Sequence, residues 1–117
     1  MLPLQKRLNL KKDFNWVRSG KLLESQLVKL FIKRGDNALA RVGIATSSRN
    51  FKRAVDRNKA RRRVSSAFEK IYSELPSNIN IVALPKTYLL NVKSVDVTTD
   101  LTGLLQRGKI LNEENRN

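Results

Sequence analysis

Residues 56–75 read DRNKARRRVSSAFEKIYSEL, and their spacing sets the architecture of the chain. Ala60, Val64, Ala67, Phe68, Ile71 and Leu75 recur every three or four positions and form one apolar stripe along a helix. Asp56 is a good N-cap type, and an acid at that end suits the helix dipole. Pro76, with Ser77 and Asn78, ends the helix. A helix with one apolar stripe has to bury it, and the flanking segments supply the surface.

Upstream, Leu22 to Lys33 reads as extended, with room for two strands. Val28, Leu30 and Ile32 fall on one face; Leu27, Lys29, Phe31 and Lys33 fall on the other. The first face is apolar, and the second mixes bases with a ring. Gly35-Asp36-Asn37 is a turn cluster, and Arg41 to Thr46 (RVGIAT) is a strand after it, so an antiparallel hairpin is expected there. Nearer the N-terminus, Lys11 to Val17 reads as a short helix with Phe14 and Val17 one turn apart and Gly20 placed to stop it. Downstream, Ile79 to Leu84 is an apolar run between Asn78 and Pro85 and reads as a buried strand. Ser94 to Arg107 reads as a closing helix with Val97, Leu101, Leu104 and Leu105 inward and Ser94 as its cap. The expected order is α-β-β-β-α-β-α, an α+β sandwich in a single small domain over residues 1–111, with a polar tail from 112 to 117.

The helix that organises the fold also carries an unusual charge. Seven of the twelve residues from Lys52 to Arg63 are basic: Lys52, Arg53, Arg57, Lys59, Arg61, Arg62 and Arg63. Cations at a helix start oppose its dipole. Like charges four apart, such as Arg57/Arg61 and Lys59/Arg63, each add roughly 0.2–0.5 kcal/mol of repulsion. The arrangement makes sense if anions sit there, where free N–H groups and guanidinium forks both favour phosphate. With Val64 toward the core, Asn58 and Arg61 lie on one flank, Lys59 and Arg63 on the other, and Arg62 points away. Arg57 lies near the apolar stripe, one turn ahead of it, so its head leaves along the edge. A second clue is aromatic. Phe14 and Phe31 both stand beside bases, and a ring in a basic groove can stack an unpaired base. Ordinary core packing is the competing reading for both rings. Trp16 reads as a half-exposed packing residue.

The whole chain repeats the bias. Its 117 residues hold 24 Lys plus Arg against 10 Asp plus Glu, a net charge of +14 and a pI near 10.8. Solubility asks for a net charge of only ~2–8 in a small domain, so a polyanionic partner is the economical explanation. No apolar run of membrane-spanning length and no apolar signal core is present, which points to the cytoplasm and away from membranes. There is no Cys and no His, which removes a disulfide framework, a Cys/His metal site and the commonest general base. Asp56, Glu69 and Glu74 form no metal cluster in the sequence reading.

These residues together resemble the ribonuclease P protein family. LPLQKRLNLKKDF resembles the family's opening, and RVGIATSS its Arg-Val-Gly-Ile strand. RNKARRR followed by Ala67-Phe68 resembles its Arg-Asn-Arg signature, and IVALPK and LTGLLQRGK resemble the last strand and helix. The resemblance implies a left-handed β-α-β crossover, where the general preference is right-handed. It implies a protein subunit of an endonuclease that removes the 5′ leader of precursor tRNA. The catalysis would belong to the RNA subunit with Mg²⁺ bound mainly by that RNA. Carried over by position, Arg57, Asn58, Lys59, Arg61 and Arg62 would contact the catalytic RNA, joined by the neighbouring Arg53 and Arg63. Phe14, Arg18, Phe31 and Lys33 would line a cleft for the leader. The chain departs from the family pattern in having Lys59 as third signature residue, Ser65 where a base is usual, and Arg18 in place of a second aromatic. A ribosomal or other structural RNA-binding role is the alternative. A DNA-binding module lacks helix-turn-helix spacing.

Overall fold

The computed structural model describes residues 2–111; the polar tail lies outside them. Helix α1 (Leu10–Arg18) leads to strands β1 (Lys21–Glu24), β2 (Val28–Arg34) and β3 (Arg41–Ile44). Helix α2 (Ala54–Ile71), strand β4 (Ile79–Pro85) and helix α3 (Ser94–Arg107) follow. Short 3₁₀ turns cover Leu4–Lys6, Tyr72–Glu74 and Thr87–Asn91. The α+β architecture and its element order are those expected.

The sheet runs β1-β2-β4-β3. The hairpin expected between β2 and β3 does not form. Strand β4 lies between them, antiparallel to β2 with Phe31 opposite Val82, and parallel to β3 with Gly43 opposite Val82. The hairpin is instead β1–β2, with Leu22 opposite Phe31. Composition explains the exchange. In β4 every residue except Leu84 is buried, so this strand needs cover on both faces and a neighbour at each edge. β3 has four residues and an exposed Arg41, and suits an edge. The N-terminal segment then covers that edge, with the Leu8 N–H donating to Val42 O at 3.1 Å. β3–α2–β4 is accordingly a β-α-β crossover between parallel neighbours.

Two hydrophobic layers hold the sheet. Val28, Leu30, Ile32, Ile79, Ile81 and Ala83 face α2 and α3, where the stripe Ala60, Val64, Ala67, Phe68, Ile71 meets Val97, Leu101, Leu104 and Leu105. All these residues are buried, as their spacing required. On the opposite face α1 sits over a smaller cluster of Leu8, Val17 and Val82, with Phe14, Phe31, Leu10 and Leu84 packed against it. Gly20 lies where a Cβ would come 2.2 Å from the Ile32 carbonyl oxygen, so its bareness lets the end of α1 meet β2. The helix itself stops two residues earlier, with Ser19 as C-cap.

Both caps read from the sequence shift by one or more residues. α2 begins at Ala54 with Arg53 as N-cap, and Asp56 lies in the first turn with its Oδ2 4.0 Å from Arg53 Nε. α3 has Lys93 as N-cap and Ser94 as its first residue. Neither cap residue makes a side-chain cap bond. In both places the apolar stripe fixes the helix and the cap chemistry is left unused. α1 does use one: Asn9 Oδ1 accepts from the Lys12 N–H at 3.3 Å.

Candidate nucleic-acid interface

Two arginines of α2 help to tie down the loop that precedes the helix. Residues 45–53 have no regular structure, yet Phe51 within them is 2% exposed and belongs to the main core. Arg57 holds this loop, its Nη1 donating to Phe51 O at 2.7 Å and Lys52 O at 3.3 Å. Arg61 reaches the end of β3, donating to Thr46 Oγ1 at 2.9 Å and to Asn58 Oδ1 at 3.1 Å. Arg63 turns the other way. Its Nη1 donates to Leu89 O at 3.2 Å, and also to Leu90 O and Val92 O, closing the 3₁₀ turn before α3.

The expected RNA-contacting set therefore divides. Arg53, Asn58, Lys59 and Arg62 are exposed on α2, while Arg57, Arg61 and Arg63 are half-buried and hold backbone or side-chain oxygens. Guanidinium groups have five donors, so a bond or two inside the fold leaves others for an external anion. Arg63 is the exception by position, because it spans 26–29 residues to a separate segment. Ser65 is 4% exposed and lines a small cavity with Arg61, Arg7 and Leu10. Of the two like-charged pairs anticipated on the helix, Arg57, Arg61 and Arg63 each have hydrogen-bond partners within the fold, and Lys59 is exposed.

The second surface lies on the α1 face of the sheet. Phe14 on α1 and Phe31 on β2 are half-buried in one cluster, and Lys29 precedes Phe31 by two on the same strand face. The two rings that the sequence placed beside bases are brought together. Lys33 is not brought to them. Its Nζ donates to Ser19 Oγ at 2.7 Å and stands 5.2 Å from the centroid of the Trp16 ring. Arg18 is exposed near the end of α1. Sequence reasoning treated Trp16 as packing only. It is 42% exposed and lines an open cavity of about 820 Å³ with Lys12, Asp13, Asp36, Asn37 and Arg41. No local pattern marks this cavity, because its walls come from α1, the β2–β3 loop and the start of β3.

At Glu24 the Lys86 ammonium donates a hydrogen bond at 2.5 Å, and its charge, with a smaller contribution from Lys29, holds the carboxyl below the usual range. No group of three or more Asp or Glu residues that could hold a metal ion exists among the described residues. None of the described helices is long and apolar enough to cross a membrane.

A four-stranded sheet with helices on both faces, a cationic helix and a pair of half-buried rings beside bases define the class of small basic RNA-binding proteins. Residues 2–109 match the family Ribonuclease P, and the chain belongs to it, as a protein component of that ribonucleoprotein endoribonuclease of tRNA processing, in which the RNA is catalytic. The chain is 26% identical over 113 residues to the ribonuclease P protein component of a Pseudanabaena species, covering 95% of this chain and 97% of the relative. It is 30% identical over 86 residues to that of Thermotoga petrophila, 73% of each. Among solved structures it resembles the RNase P protein from Thermotoga maritima with a TM-score of 0.76 at 28% identity, covering 86% of this chain and 96% of the other.

Proposed function

We propose that the α2 entrance docks on the catalytic RNA, and that the Phe14–Phe31 cleft receives the single-stranded 5′ leader of precursor tRNA. One observation carries the reading: Asn58, Lys59 and Arg62 stand exposed on α2 together with its N-cap Arg53, which makes no side-chain cap hydrogen bond. Such a surface is electrostatically costly alone and favourable against phosphates. Arg57 and Arg61 add to it while fixing the loop from Thr46 to Lys52 in place. The half-buried rings offer a stacking face that tolerates any base. Arg18 flanks that cleft from α1, and Lys33 acts from the other side of the helix.

The chemistry falls to Mg²⁺ held mainly by the RNA. The protein binds and orients, and its cations offset phosphate repulsion between RNA subunit and substrate. Work on precursor tRNA puts its site of action in the cytoplasm on this reading. Reconstitution tests the reading. Added to a folded bacterial ribonuclease P RNA, the protein should raise precursor tRNA cleavage at low Mg²⁺. Cleavage that is the same with and without protein would refute it.

A further inference from the structure

The flank of α1 turned away from Phe14 carries a second aromatic surface. At 100° per residue, Trp16 projects about 160° around the helix from Phe14. Phe14 packs with Phe31 and Leu84, whereas a Cβ built on Gly35 would lie 3.0 Å from Trp16 Cη2, at the β2–β3 loop. The cavity there, about 820 Å³, falls in the range of ~300–1,000 Å³ that holds small ligands. Its floor is built. Asn80, 2% exposed, donates to Asn37 Oδ1 at 2.9 Å and to Lys33 O at 3.3 Å. Asn37 in turn donates to Leu39 O at 2.6 Å, which fixes the β2–β3 loop as the outer wall. Above this floor stand a large exposed ring and the exposed cations Lys12 and Arg41. Lys33 Nζ stands over the same ring, 5.2 Å from its centroid, a cation–π contact that helps to hold the indole.

We propose that this cavity is a second single-stranded RNA site, in which Trp16 stacks one unpaired base and Lys12 and Arg41 hold its flanking phosphates. The combination is the one single-strand sites use, an aromatic platform beside cations that follow the backbone. Asp13 and Asp36 also line the cavity, so it is not a general polyanion funnel. Duplex phosphates would meet those carboxylates without gaining the stacking that offsets them. The site lies across α1 from the Phe14–Phe31 cleft, and a strand crossing α1 could occupy both. The inference rests on the RNA-binding reading above but can fail separately.

Trp16 is the only tryptophan of the chain, so all tryptophan emission originates at this site. The full-length protein is titrated with a short single-stranded oligoadenylate carrying a dye, following dye anisotropy for binding and tryptophan emission for stacking. Emission should be quenched along the same isotherm as the anisotropy. The Lys12→Ser, Arg41→Ser double variant should lose most of the quench, while Phe14→Ala, though weaker in total affinity, should keep the full quench at saturation. Trp16→Ala should bind roughly tenfold or more weakly, as expected for one stacked base, and Trp16→Phe should recover most of that loss. Binding by anisotropy with unchanged emission would overturn this site and leave the RNA-binding reading intact. A quench that survives the double variant and vanishes with Phe14→Ala would assign the effect to the other cleft. No binding at low ionic strength would overturn both.

Discussion

Arg62 and Arg63 are neighbours in sequence with the same side chain, and the fold gives them opposite tasks. Arg62 is exposed on α2, while Arg63 serves three carbonyls of residues 89–92. Removing a donor that leaves buried carbonyls unpaired costs about 1–3 kcal/mol. Arg63→Ala should therefore lower the unfolding free energy by about 1–3 kcal/mol and move the urea midpoint down with it, while Arg62→Ala leaves the midpoint in place. Equal midpoints for both would mean the carbonyls are already hydrated. Phe14 poses the same question on the other face. Phe14→Ala should weaken binding of a leader-bearing precursor by ~1–3 kcal/mol relative to mature tRNA, if a base stacks there. The same loss for both ligands would return the ring to a packing role. Which arginine of the run faces outward was partly legible, since the helical wheel already placed Arg62 opposite the core. That Arg63 would find a 3₁₀ turn 26 residues away was not, because nothing local to it names the partner.

Among the elements, the helices were legible and the strand order was not. A period of 3.6 is written within one segment, so the stripe from Ala60 to Leu75 could be read without knowing its surroundings. Partner choice in a sheet depends on which strand most needs cover, a comparison across the whole chain. The run INIVALP answers it once compared with the short RVGI, and β4 takes the centre. Cap residues misled for a related reason: the helices start where packing places them, and Asp56 became a first-turn acid. The join between α1 and β2 is the element contact that sets Phe14 over Phe31. Gly20→Ala would push a Cβ into the Ile32 carbonyl, a backbone atom that cannot step aside. A loss of about 1–3 kcal/mol in denaturant unfolding is expected, with the larger effect on α1, visible as faster hydrogen exchange of its amides. Exchange as slow as in the unaltered protein would contradict this seating of α1. At the far end of the hairpin, Lys86 and Lys29 hold the Glu24 carboxyl low. The contribution is present above the ordinary carboxylate range and is lost as pH falls through the lowered value. Stability of the parent and of Glu24→Gln should differ near neutrality and converge in acid, with salt narrowing the gap because the pair is exposed. Parallel curves across that pH window would remove the pair from the account.

On the scale of the whole molecule, a charge of +14 in 117 residues is the feature that the fold alone does not explain. The cores on both faces of the sheet are ordinary; the one under α2 and α3 was legible in their apolar stripes, and the smaller one under α1 was not. The excess lies on surfaces: the α2 entrance, the α1 flanks and the rim of the sheet. Its magnitude was legible from composition, but its grouping into separate surfaces was not, because Lys12, Lys33 and Arg41 come from three different elements and meet only in the folded chain. On the proposed reading, exposed cations on α2 neutralise RNA phosphates. This claim is tested most directly by the salt dependence of binding to ribonuclease P RNA, measured for the parent and for Arg62→Ala at constant Mg²⁺. The log–log slope of affinity against salt should fall in magnitude by roughly 1 for the variant, the loss of one neutralised phosphate. An unchanged slope and affinity would contradict the claim and leave the α2 entrance facing solvent.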